Sequence, residues 1–296
     1  MHSILLVGLG LLLAACEGEG EPDAPAPPPP ECRVVQTPAP LPLVLDEVSG
    51  VAPGRRQPGV FWMHNDSGGE PAVFALDAAG RLLGRVRVAG AQNRDWEDVA
   101  VGACAAGTCL YVADIGDNAA AQPEVHVYRV PEPAVGDSLT APAQRLRLRY
   151  PGGPRDAEAL FVLPSGVFVL TKGRNSPVEL YRLPDGARPE QPAVLERVRA
   201  FGTNVEPLFD QITGASASPD GRTVAVRSYR TLYLYRAAEL TSAAAVEPFR
   251  FDLSGLGELQ GEGVALLDDG TVLLTSEGGP GGLPPTLAVL RCSGLR

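Results

Sequence analysis

EVSGVA (47–52), DWEDVA (95–100), DAEALF (156–161), QITGAS (211–216) and QGEGVA (260–265) are five versions of one short string. Set beneath one another they form columns. The first holds Glu47, Asp95, Asp156, Gln211 and Gln260, always a side-chain oxygen. The second, Val48, Trp96, Ala157, Ile212 and Gly261, is never charged. The third, Ser49, Glu97, Glu158, Thr213 and Glu262, again always carries oxygen. A small residue or Asp, an aliphatic residue and usually Ala or Ser complete the string. Such alternation describes a strand whose first and third columns face one side.

Working outward, each string runs into a turn and a second strand. LPSGVFVLT, SPDGRTVAV and LDDGTVLLT put Ser-Gly or Asp-Gly at that turn. Third strands follow in VFALD, EVHVYRV, VELYRL, TLYLYRA and TLAVLRC, and weaker fourth strands in LLGRVRV, QRLRLRY, VLERVRA and PFRFDL. Four strands, repeated five times, predict an all-β propeller of five four-stranded blades, with six as the alternative. The third column recurs after 48, 61, 55 and 49 residues, and only 34 residues follow Glu262. The 17 residues from Cys32 to Ser49 restore a full period, so the strand around Arg33-Val34-Val35 is expected to complete the last blade. A ring closed in this way has no exposed sheet edge.

Ahead of the repeats lie two segments of another kind. Ile4 to Ala15 is apolar or Gly throughout, too short to span a bilayer and suited to a signal peptide over residues 1–15. It ends Leu13-Ala14-Ala15-Cys16, which resembles the lipobox of bacterial lipoproteins and implies a lipidated Cys16. Met1-His2-Ser3 departs from the usual signal by carrying no Lys or Arg. Residues 16–31 then read as the lipidated Cys and a Pro-rich linker, polyproline II or disordered, that holds the 32–296 domain off a surface. The expected location is the cell envelope, on the periplasmic or cell-surface side, with the lipid as membrane contact. From Cys32 onward 30 acidic residues face 25 basic ones without a Lys/Arg run, which argues against a nucleic-acid partner. Nothing in the chain demands more than a monomer.

With Cys16 set aside, an even four cysteines remain in an oxidising compartment. Cys104 and Cys109 flank a hairpin turn, and ring closure makes Cys32 and Cys292 neighbours across the seam. Disulfides are expected at both. Metal binding competes, but C-x4-C with no nearby His makes a poor zinc site.

Phosphate-binding loops, dinucleotide fingerprints and zinc-protease helices are absent, and Gly214-Ala215-Ser216-Ala217-Ser218 is no nucleophile elbow. What remains is geometry. Inner strands of a propeller line its channel, so Glu97, Glu158 and Glu262, with Asp95, Asp156 and Asp114, should converge on one face. Carboxylates packed that closely need a cation, shared protons or backbone N–H donors. An all-oxygen set suits calcium. Ser49 and Thr213 in the same column leave a purely structural, strand-tying role equally open. His64, Lys172, Arg174 and Arg227 come from loops on the same face and are the candidate catalytic or anion-gripping groups. Lys172 is the only lysine in the chain.

Asp156-Ala157-Glu158-Ala159-Leu160 and Gly261-Glu262-Gly263-Val264-Ala265, followed by Asp269-Gly270 and Thr275-Ser276-Glu277, resemble the D-x-E-G-I-A … D-G … S-E pattern of phytase-like (esterase-like) and SdiA-regulated propellers. DWEDVA with YVADIGDN is similar to a related group of bacterial propellers. The resemblance implies calcium dependence and phosphoester hydrolysis, on six blades rather than five. Two readings of function follow. One is a surface-tethered binding module, holding calcium and recognising a phosphorylated or anionic small molecule, a glycan or an envelope protein. The other is a calcium-dependent phosphoesterase in which Lys172, Arg174 and Arg227 grip phosphate. A metal-free assembly scaffold is the third possibility.

Overall fold

Gly166, Gly221 and Gly270 sit at φ of 140°, 72° and 80° in the turns after the inner strands of blades three, four and five. Only glycine adopts this backbone freely, and it lets each chain reverse tightly into its second strand. In the computed structural model, which describes residues 30–243 and 246–295, these turns belong to five separate antiparallel sheets. The signal segment and most of the linker, with Cys16, lie outside the described residues.

Blade one is Val48–Pro53, Phe61–Asn65, Ala72–Leu76 and Leu82–Arg87. Blade two is Trp96–Cys104, Gly107–Asp114, Val125–Pro131 and Gln144–Arg149. Blade three is Ala157–Leu163, Gly166–Thr171, Glu179–Arg182 and Glu196–Ala200. Blade four is Ile212–Ala217, Thr223–Ser228, Thr231–Arg236 and Phe249–Asp252. Blade five is Gly261–Leu266, Thr271–Ser276 and Thr286–Ser293, with the N-terminal strand Glu31–Pro40 outermost. The count is five, and the seam closes as the spacing predicts: Cys32 pairs with Cys292 in register, joined by a disulfide. Cys104 and Cys109 form a second disulfide across the first hairpin of blade two.

One outer strand departs from expectation. The fourth strand predicted from VLERVRA is split: Ala193–Val194 adds in parallel to the outer strand of blade two, and only Glu196–Ala200 stays in blade three. That detour ties the two blades together at their periphery.

The core is five slabs, one between each pair of neighbouring blades. Trp62, Val73 and Trp96 fill the slab between blades one and two, and Phe161, Phe168 and Leu180 the slab between three and four. Because each sheet buries both faces, the inner strands are buried almost end to end. That is why they read as apolar runs rather than clean alternations.

Alternation also fails for a second reason. All five inner strands bulge at the same place: the register slips by one residue between Val48 and Val51, Trp96 and Asp98, Ala157 and Ala159, Ile212 and Gly214, and Gly261 and Val264. A bulge re-aims the side chain that it carries. Here it acts on the third column, so the first and third columns do not simply share a face.

Candidate functional site

The third column splits by chemistry. Ser49 donates its hydroxyl to the Glu97 carbonyl (2.6 Å), and Thr213 donates to the carbonyls of Gly261 (2.9 Å) and Glu262 (3.1 Å). Thr275 donates to the Ser49 carbonyl (3.0 Å). These hydroxyls tie neighbouring inner strands, the structural role left open by the sequence. The three glutamates of the column, Glu97, Glu158 and Glu262, are each buried at the mouth of the channel.

A second ring of side chains surrounds them. In each blade the second-column residue pairs with a polar residue at the end of the second strand: Asn65, Asp114, Thr171, Ser228 and Ser276. The chain then turns inward. In blades one, three and five the next residue, Asp66, Lys172 or Glu277, donates its N–H to the first-column carbonyl of Glu47, Asp156 or Gln260. Tyr229 follows Ser228 in blade four. In blade two the equivalent bond to Asp95 comes one residue later, from Gly116. The second ring is therefore Asp66, Gly116, Lys172, Tyr229 and Glu277, with blade two contributing no side chain.

Blade two is where the carboxylates converge. Asp66, Asp95 and Glu97 each offer an oxygen within 4.8 Å of the others. A Cβ at Gly116 would collide with Glu97 Oε1 and the Asp95 carboxylate, so the missing side chain makes the space they occupy. Burial, then Asp95 and Glu158, pushes the Asp66 carboxyl up to about 7. Burial and the neighbouring Asp156 raise Asp95 as well. Glu97 is held well above the carboxylate range by burial, then by Glu158 and Asp66.

The other half of the funnel has a cation of its own. Lys172 Nζ donates to Glu158 Oε1 at 2.5 Å, with both side chains buried. Burial works to lower the lysine, and Glu158 outweighs it, so the ammonium titrates above its usual range. Among the described residues Glu262 forms no ion pair: its Oε2 is buried without a hydrogen bond, and burial followed by Glu158 and Glu277 holds it well above its usual range. Burial, then Asp66 and Glu47, brings Glu277 up to about 7. Tyr229 is raised by burial and by the Glu262 carboxylate.

The remaining candidates do other work. Asp114 Oδ1 accepts the Asp95 N–H (2.9 Å), and its Oδ2 faces His126 Nδ1 at 3.3 Å. Asp156 Oδ1 accepts the Asp117 N–H (3.1 Å), while Arg174 lies 3.5 Å from Oδ2. Asp114 thus holds the Asp95 backbone and Asp156 the Asp117 backbone, and both add their charge to that around Asp95. His64 is fully buried, meets Trp96 edge-on between blades one and two, and is lowered to about 4 by burial. Arg227 is fully buried and donates to the carbonyls of Gly263 and Thr275 and to Glu258 (2.8 Å). It joins blades four and five and has no reach for a phosphate.

Sequence reading places Asp66 and Gly116 in same-face loops, in His64-Asn65-Asp66 and Asp114-Ile115-Gly116-Asp117-Asn118, without assigning them a role, and does not single out Tyr229 or Asp98. Aligning the second strands as well as the first would have exposed the second ring. Asp98 is the exception in the fourth column, otherwise Gly50, Ala159, Gly214 and Gly263. Those residues are small because the strands crowd the axis: a Cβ at Gly50 would come within 2.6 Å of the Val99 nitrogen. Asp98 crosses that axis instead. Its Oδ1 accepts the Val99 N–H (2.8 Å), and its Oδ2 accepts those of Leu160 (2.8 Å) and Ala215 (3.2 Å).

No protein-family model and no curated protein matches this chain. Among solved structures it is similar to the PQQ-bound aldose sugar dehydrogenase from Streptomyces coelicolor, with a TM-score of 0.53 and 15% identity, covering 90% of this chain and 100% of that one. The β-propeller domain of Cps50 (Swd1) from Myceliophteria thermophila aligns over 81% of this chain and 83% of that one, with a TM-score of 0.37 and 9% identity. At such identities a likeness speaks for fold and not for activity. The chain is a five-bladed β-propeller with a carboxylate-lined funnel on one face.

Proposed function

We propose that the protein is an envelope-tethered recognition propeller that holds calcium in its top-face funnel. The convergence of Asp66, Asp95 and Glu97 on one point, in the space left by Gly116, carries this reading. Three carboxylates raised by burial and by neighbouring carboxylates gain from a hard dication, which favours the ionised form of each. The chemistry of the donors, oxygen throughout, favours calcium over zinc. Lys172 already serves Glu158, so the blade-one and blade-two half is the part left to an exogenous ion.

The tether supports an outward-facing site. Pro40 pairs with Thr286, just after the top-face loop of blade five, and Glu31 pairs with Ser293 at the far end. The described chain thus begins at the face opposite the funnel. With a lipid on Cys16, the funnel would look away from the membrane, toward a glycan, peptide or envelope partner. The two disulfides fit an oxidising, extracytoplasmic compartment.

The hydrolase reading is the weaker one. Of its three phosphate-gripping candidates, Arg227 is saturated inside the protein and Lys172 is engaged by Glu158. Calcium should raise the melting temperature in a concentration-dependent way, because an ion that binds only the folded state stabilises by mass action. Glu97→Gln and Asp66→Asn should abolish that rise. A melting curve insensitive to both calcium and chelator would overturn the proposal.

A further inference from the structure

Blades four and five meet at the top face in a cavity of about 370 Å³. It lies beside the funnel: Gln260 and Gly261, immediately ahead of Glu262, form part of its wall. Part of the wall is apolar and open to water. Leu208 and Phe209, on the 3-10 turn Leu208–Asp210, are 58% and 46% exposed, and Leu259 is 59% exposed. Large apolar side chains gathered around a concavity call for an occupant, whereas scattered ones do not.

Arg230 defines what kind. Its guanidinium lies over the Phe209 ring, 3.5 Å from the centroid. Stacking uses the face of the guanidinium and leaves its in-plane N–H fork free. Among the described residues no carboxylate stands within ion-pair distance of Arg230; Asp252 feels its charge without pairing. The one carboxylate in the cavity wall, Glu258, is already neutralised by Arg227. A planar carboxylate is the partner that such a fork matches in a bidentate manner.

We propose that this cavity binds a small carboxylate with an aromatic or branched apolar body. Arg230 takes the carboxylate, and Leu208, Phe209 and Leu259 take the body. The site stands apart from the carboxylates of blades one and two, although it shares Tyr229 with the funnel's second ring and a ligand seated here would sit against the funnel's edge at Gly261.

Titration calorimetry of the purified protein with 3-phenylpropionate, acetate, 3-phenylpropanol and 3-phenylpropylamine tests each half of the assignment. The phenylpropionate should bind at least tenfold tighter than acetate, which lacks the body, and than the alcohol and amine, which lack the negative charge. Arg230→Gln should cost tenfold or more, Arg230→Lys should fall between, and Leu259→Ser should weaken binding with the arginine in place. Melting curves of the variants show that each is folded, and their response to calcium should match the wild type. Equal or tighter binding of the amine or the alcohol, or unchanged binding in Arg230→Gln, would overturn the proposal. Either result would leave the calcium reading standing, since that rests on a separate melting shift.

Discussion

Glu97 and Asp98 are adjacent in the sequence, and both carboxylates are buried near the propeller axis, yet their surroundings differ. Asp98 accepts three backbone N–H groups drawn from the inner strands of blades two, three and four. Glu97 faces Glu158, Asp66 and Asp95, and no backbone donor is aimed at it among the described contacts. The bulge between the two columns separates them: one residue is turned across the channel and the other up into the funnel. A buried carboxylate ringed by N–H donors holds strands together. One ringed by other carboxylates stores repulsion that only a proton or a cation removes.

The frame that holds both residues should show the largest effect. The Cys32–Cys292 disulfide closes a loop with a sequence separation of 260, for which loop-closure entropy gives about 5 kcal/mol. The Cys104–Cys109 bridge, spanning 5 residues, is worth about 2 kcal/mol by the same argument. Denaturant unfolding of the Cys32→Ser/Cys292→Ser double variant should therefore show a much larger loss than the hairpin pair. Equal losses would mean that the seam is held by strand pairing alone.

Asp98→Ala comes next. It strips three buried N–H groups of their acceptor and should cost about 3 kcal/mol or more, with no change in the response to calcium beyond the loss of folded protein. Glu97→Gln should do the opposite, leaving stability unchanged or improved while removing the calcium response. If the two variants behave alike, the division between tie and site fails.

Gly116→Ala sharpens the comparison further. The added Cβ would fall on Glu97 and Asp95. It should lower calcium affinity at least tenfold in a titration, and an unaffected affinity would place the ion elsewhere in the funnel.

The smallest effect is on pH dependence. Asp66 and Glu277 bind protons more tightly folded than unfolded, each titrating near 7 when folded. The folded state thus holds more protons between about 4 and 7, and stability of the metal-free protein falls as pH rises through that window. His64, lowered to about 4, works in the opposite direction below 6.5, where the unfolded chain binds the extra proton. Above 6.5 only the fall should remain, and the raised Glu97 and Glu262 extend it. Calcium should cancel it, so its melting shift should be larger at pH 8 than at pH 5. A shift independent of pH would show that Asp66 does not take part.

Blade number, ring closure, both disulfides and the glycine turns were legible because each leaves a local mark: a repeated string, a residue sum or a turn dipeptide. The split strand at Ala193–Val194 left none, since joining a neighbouring sheet depends on tertiary contact. Of the site, the three glutamates were legible from their column. Asp66 and Gly116 were legible as members of same-face loops, but their shared position in a second ring, and the space that Gly116 leaves by lacking a side chain, depend on packing. Arg227 and Asp114 look like any surface charge in sequence, and only packing shows that their partners lie inside the protein.

The central claim, that the funnel is a cation site built by blades one and two, is tested most directly by counting calcium. Equilibrium titration of the metal-free protein should give one ion per chain at neutral pH, unchanged in Arg230→Gln and absent in Glu97→Gln. No bound ion in the wild type, or one that persists in Glu97→Gln, would contradict it.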